Sequence, residues 1–261
     1  MGRINMRSAA ISAFGVALLF LSAANANAGF VTIDSDGDTG TLDASLGGDG
    51  LLLGFDNVVH GVGNSKVFLT VQNNGAEKGY NTEGVTQFDT TPSGTTALPL
   101  SEVPLVSIGG TLYREFGLTV NQTGGNPTIS LNQIQLFLGA TGTQTGYSAG
   151  LGTQIWNWES SATESLTVKD YTPGQSDLEL LLFVPNSVFT GPNQFVYLYM
   201  EAGMPAGSND GPEKWVVAET GSFCPTDFCD EVPLPDGGST MTLLGSALIG
   251  LGLLRRRFGR S

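Results

Sequence analysis

Apolar runs only a few residues long, each closed off by Gly, Pro, Asn or Ser, recur from Gly29 to Glu231, and helix signals between them are scarce. That length and punctuation belong to strands rather than helices. Strands are predicted near Gly29–Ile33, Gly50–Phe55, Lys66–Gln72, Leu112–Asn121, Thr128–Leu138, Glu164–Val168, Leu178–Val184, Gln194–Glu201 and Lys214–Glu219. In Val67-Phe68-Leu69-Thr70-Val71 successive residues are expected to face opposite ways. From Phe195 to Met200 both faces are apolar or aromatic, which suits a strand covered on both sides. The pattern predicts an all-β body, an antiparallel two-sheet sandwich of jelly-roll-like type. Asn73-Asn74-Gly75 has turn chemistry. Residues 122–127 read as a hairpin loop, 139–152 as a long mobile connection, and 203–212 as a loop breaking the last hairpin. The body spans residues 29–231, enough for one β-domain with a sizeable core.

The two ends have a different character. Arg3 and Arg7 precede an apolar run from Ala9 to Ala24, and Ala26-Asn27-Ala28 follows with small residues at its outer positions. This order predicts a secretory signal helix over residues 1–28, read by the secretion translocase and cleaved after Ala28, with an uncleaved anchor as the other reading. At the far end, a Pro/Gly-rich hinge leads into an apolar stretch, Met241 to Leu254, and then Arg255, Arg256 and Arg257. A C-terminal apolar helix is predicted. It falls short of the roughly 20 residues a spanning helix needs, so it would cross with snorkelling or local thinning of the bilayer. The arginines would stop transfer and stay on the cytoplasmic side. The alternative is a buried final helix of a soluble domain.

A proline-acid-small-Gly motif, a short apolar segment and an Arg cluster together resemble the PEP-CTERM class of bacterial sorting signals. Val232, Pro233, Pro235, Asp236, Gly237, Gly238 and Ser239 carry the motif, and residues 234–240 are close to its VPDSG-CTERM variant. Leu234 separates the Val-Pro pair from the Pro-Asp pair, and Gly237 stands where the variant has Ser. The resemblance implies recognition of residues 232–261 by an exosortase, a membrane-embedded cysteine protease-transpeptidase, with cutting near Pro235-Asp236. It implies transient membrane anchoring, then residence in the envelope, at the surface or in an extracellular matrix, in the company of extracellular polysaccharide.

The body carries five bases against 23 acids, a formal charge of −18. Nucleic-acid binding is disfavoured, because phosphate contacts need clustered cations. Cys224 and Cys229 are close in sequence and, in an exported chain, are expected to form a disulfide. A zinc site would want four N or S ligands, and the sole histidine is His60. Asp34, Asp36 and Asp38 alternate in a way that can wrap Ca²⁺. An EF-hand would need Gly and Glu where Thr39 and Ser45 stand, and a plain polar turn is the other reading. No further cofactor is expected. Trp156 and Trp158, two apart on a strand, share a face: exposed, they form a platform for a sugar ring; buried, they are core. Glu159 with Glu164, and Glu201 with Glu213, are the carboxylate pairs to inspect for glycosidase chemistry. No catalytic residue is assigned, since no nucleophile elbow, P-loop or dinucleotide fingerprint is present. The expectation is an exported, non-enzymatic envelope or matrix protein. A carbohydrate- or calcium-binding module and a polysaccharide-acting hydrolase are the alternatives.

Overall fold

Leucine, β-branched and aromatic residues dominate the short runs, and the computed structural model, which describes residues 29–55, 64–173, 177–203, 205–208 and 211–230, folds them into two sheets. The strands are β1 (Phe30–Ile33), β2 (Thr39–Leu42), β3 (Gly50–Gly54), β4 (Ser65–Val71), β5 (Glu77–Tyr80), β6 (Leu98–Pro99) and β7 (Leu105–Ile108). They continue with β8 (Thr111–Thr119), β9 (Thr128–Gly139), β10 (Thr153–Glu159), β11 (Ser165–Lys169), β12 (Leu180–Pro185), β13 (Phe195–Ala202) and β14 (Glu213–Ala218). One sheet has the order β1-β11-β9-β13-β5, with β10 also on β9 and β6 on β13; the other has β2-β3-β12-β8-β14-β4, with β7 on β8. Every pairing is antiparallel except β1 with β11.

The two sheets close on a shared core. Leu136, Leu166, Leu198 and Met200 from the first meet Leu52, Phe68, Phe116, Leu182 and Trp215 from the second. Each sheet is also covered on its outer face. On the first, Tyr80, Phe137, Leu151, Tyr197 and Tyr199 form a second cluster with Tyr147 against it. On the second, Leu53, Phe55, Leu181, Phe183 and Val216 pack under Phe223 and Phe228. This explains why β13 reads as apolar on both faces: Val196, Leu198 and Met200 point between the sheets, Tyr197 and Tyr199 away.

Four expectations change. Residues 122–127 do not close a hairpin, because β8 and β9 belong to different sheets, and the connection after β13 likewise crosses between sheets to β14. A bulge opposite Trp215 and Val216 breaks simple alternation in β4, so Phe68 and Leu69 both enter the inter-sheet core. The 139–152 connection is pinned rather than loose. The Gln144 N–H donates to the Tyr197 hydroxyl at 2.9 Å, Thr82 donates to the Gln144 carbonyl at 2.8 Å, and Tyr147 stacks on Tyr199 at 4.1 Å. The predicted signal helix and the C-terminal apolar helix lie outside the described residues. Among the described residues, no helix is long and apolar enough to cross a membrane.

Candidate functional site

Strand β10 turns Trp156 and Trp158 inward, both fully buried. The Trp156 indole donates to the Gly48 carbonyl at 2.8 Å, and that of Trp158 to the Glu164 carboxylate at 2.6 Å. A sugar platform on these two rings is thus overturned. Their area is spent on the core, and the alternate residues Asn157 and Glu159 face outward instead. Glu164 is itself buried and also accepts the Asp43 N–H at 3.0 Å.

Between β1 and β2 the Asp38 carboxylate accepts the backbone N–H groups of Asp34 and Ser35 at 3.0 and 2.8 Å, and Ser35 donates to Asp34 at 3.1 Å. Gly37 takes φ +80°, which this tight reversal requires. Asp38 thereby closes a turn. Among the described residues, no group of three or more His, Cys, Asp or Glu is arranged to hold a metal ion. His60 lies outside the described residues.

The segment after β14 folds back over the second sheet. Cys224 and Cys229 are joined by a disulfide. The buried Glu115 carboxylate on β8 receives the Ser222 hydroxyl at 2.6 Å and the N–H groups of Phe223 and Cys224 at 2.8 and 3.0 Å. Burial pushes its pKa up, against the pull of those three donors. Phe228 lies on Phe183 at 5.8 Å between ring centroids. Asp230 bridges to Ser107 through its backbone, its N–H donating to the Ser107 carbonyl at 2.8 Å. The body is therefore fastened at its last described residue. The residues assigned to the signals, namely Ala26, Ala28, residues 232–239 and Arg255 to Arg257, lie outside the described residues.

The outward face of the first sheet is polar in rows. Register aligns Glu159, Gln133, Glu201 and Lys78 across four strands, and Asn157, Gln135, Tyr199 and Tyr80 in the next row. Gln135 donates to Asn157 at 2.7 Å, Tyr147 to Gln135 at 2.8 Å and Tyr199 to Glu201 at 3.0 Å. Glu159 and Glu201, with Asn132, Gln133, Ser160 and Ala76, line a cavity of about 260 Å³. Phe88, half-exposed and at φ +60°, sits edge-on to Tyr147 and Tyr199, with Lys78 over its ring at 5.4 Å. Neither carboxylate pair expected from sequence comes together here, because Glu164 and Glu213 are buried while Glu159 and Glu201 face out. Both lie opposite Gln133, so two strand spacings set the Glu159 and Glu201 backbones about 10 Å apart across the sheet. The polar row was readable in Gln133-Ile134-Gln135-Leu136, where amides alternate with core residues. Its partners Tyr147 and Phe88 come from loops, and no local pattern announced them.

Four acids have pKa values raised first of all by burial: Glu77, Glu115, Glu179 and Glu213. Glu179 accepts the Val120 N–H at 2.7 Å and Glu77 the Asn73 N–H at 2.9 Å. Gln122 donates to Glu213. All of these contacts serve the backbone and core of the sandwich.

No curated protein and no solved structure matches the chain. Its last residues do match a family model. Residues 235–258 fit the VPDSG-CTERM motif, so the chain carries a C-terminal sorting signal of the PEP-CTERM class.

Proposed function

We propose that this chain is an exported, non-enzymatic protein of the envelope or extracellular matrix, folded first and then sorted and cut by an exosortase. The carrying observation is the sorting signal at residues 235–258, which points to export and surface association. It begins five residues beyond Asp230, where the disulfide loop and Glu115 fasten the body. Such an arrangement suits a finished cargo whose handling is confined to the tail. The acids with raised pKa values are engaged with backbone, loop and core groups, as structural carboxyls are. The test is fractionation of native cells carrying the full chain or the chain without residues 232–261, with intact mass of the mature product. Loss of surface retention with folding preserved is expected on deletion. A product whose mass still ends at Ser261 would refute processing.

A second reading is favoured by the outward face of the first sheet. The accessible amides and acids of these rows can hydrogen-bond to a sugar chain, and the partly exposed Tyr147 and Phe88 rings beside them can stack with it. On this reading the carbohydrate-binding alternative moves from the buried tryptophans to Gln133, Gln135, Asn157, Tyr147 and Glu201. Retention of the chain on neutral polysaccharide, lost on Gln135→Ala, tests it. Equal retention of both forms would sink it.

A further inference from the structure

Strands β4 and β8 send Phe68 and Phe116 into the inter-sheet core, where the rings meet edge to face at 6.3 Å. Two residues earlier on each strand stand Lys66 and Arg114, on the same inward faces. Beside them the edge of β8 changes partner: β14 pairs with Gly117 to Thr119, and β7 pairs with Thr111 to Arg114. Where one gives way to the other, a cavity of about 490 Å³ opens, lined by Lys66, Glu102, Val103, Arg114, Val217 and Glu219 among others. That volume lies within the range of small-ligand sites.

Two of the five bases in a body with 23 acids thus share one cavity. Arg114 is half-buried. It donates from Nε to the Asn186 side chain at 2.9 Å and from Nη1 to the Val103 carbonyl at 2.6 Å. Both partners are neutral, and Arg114 pairs with no carboxylate among the described residues. A desolvated guanidinium with donors to spare favours an anionic partner, and its planar fork matches a carboxylate. Lys66 is held at 2.6 Å by Glu102, a partly exposed pair that contributes little and exchanges readily. Glu102 and Glu219 balance the two cations, so the cavity suits a single negative charge better than two.

We propose that this cavity is a binding site for a small molecule bearing one carboxylate, such as a sugar acid, clasped by the Arg114 guanidinium with Lys66 released from Glu102 to assist. The site is separate from the polar rows on the first sheet. The full-length chain is titrated with glucuronate, with glucose and with inorganic phosphate, each by NMR shift mapping. Glucuronate is expected to saturate, shifting resonances around Arg114, while glucose and phosphate do not. Arg114→Gln is expected to weaken glucuronate about tenfold or more. Glu102→Gln, which leaves Arg114 and its supports in place, is expected to tighten it about threefold. Absence of saturation by glucuronate overturns the proposal. So does equal affinity in folded Arg114→Gln, unchanged or weaker affinity in Glu102→Gln, or phosphate binding as tightly as glucuronate.

Discussion

Glu77 on β5 and Glu213 on β14, one from each sheet, are buried close enough for Glu213 to be a cause of the raised Glu77 pKa. Both are essentially fully buried. One Glu77 oxygen accepts the Asn73 N–H, and the other has no N–H or O–H donor of its own. Burial and the neighbouring Glu213 both disfavour the charged form, so Glu77 holds its proton well above the usual carboxylate range.

That proton sets the direction of pH dependence. Burial first, then Glu213 and Asp89, raise the Glu77 pKa well above its ordinary 4.5. The unfolded chain therefore gives up this proton as pH passes about 4.5, while the folded chain keeps it. Folding then takes up a proton, so stability is greatest in acid and is lost as pH climbs toward the folded value. Glu115, Glu179 and Glu213 are shifted in the same direction and add to the trend. Melting temperature is expected to fall from pH 5 to pH 8, and Glu77→Gln to flatten the fall and raise the value at pH 8 by at least about 2 °C. A melting temperature that climbs over this interval would contradict the pairing.

Trp158→Ala removes a fully buried ring and deprives Glu164 of its indole donor. A loss of about 3–5 kcal/mol is expected from urea denaturation. Trp158→Phe should recover much of the packing but leave the Glu164 oxygen short of one partner.

Reducing the Cys224–Cys229 disulfide frees a short loop and is expected to cost about 2 kcal/mol. The inter-sheet core does not include either cysteine. Limited proteolysis of the reduced protein should therefore cut first within residues 219–230, ahead of any strand of the sandwich.

Gly203 takes φ +117° as the chain leaves β13, and a Cβ there would fall 2.2 Å from the Gly75 carbonyl oxygen and 2.6 Å from the Ala76 Cα. Both obstacles are backbone. Gly203→Ala is expected to cost about 2 kcal/mol or more, measured by thermal melting beside Gly125→Ala, whose backbone is not left-handed and whose Cβ meets nothing within 4 Å.

Calcium is expected to leave the melting temperature unchanged, because Asp38 already accepts two N–H groups of its own turn. A calcium-dependent rise that disappears in Asp36→Asn would restore the β1–β2 turn as a cation site.

Much of the β-structure was written locally. Runs such as Leu178–Val184 and Thr128–Leu138 became β12 and β9 within a residue or two of their predicted limits. The short strands β2, β5, β6 and β7 were missed because four residues or fewer carry little periodicity, and the seven-residue β10 was missed as well, although its two indoles were read as sharing a strand face. Sheet membership was not legible either. Residues 122–127 have hairpin chemistry, yet β9 crosses to the other sheet, where its partners β11 and β13 lie far along the chain. The indoles at 156 and 158 could not be placed from spacing alone, since a shared face does not say which face. The convergence of Lys66 and Arg114 depends on β7 and β14 meeting along β8, a purely tertiary event.

The clasp at Asp230 acts as a tether of fixed length. Five residues of chain reach no farther than about 18 Å, so on the proposed processing an enzyme grasping the motif at Pro235 would meet the β7 side of the sandwich almost at once. On that proposal cutting would be a problem of clearance as much as of recognition, and lengthening the spacer after Asp230 should quicken it.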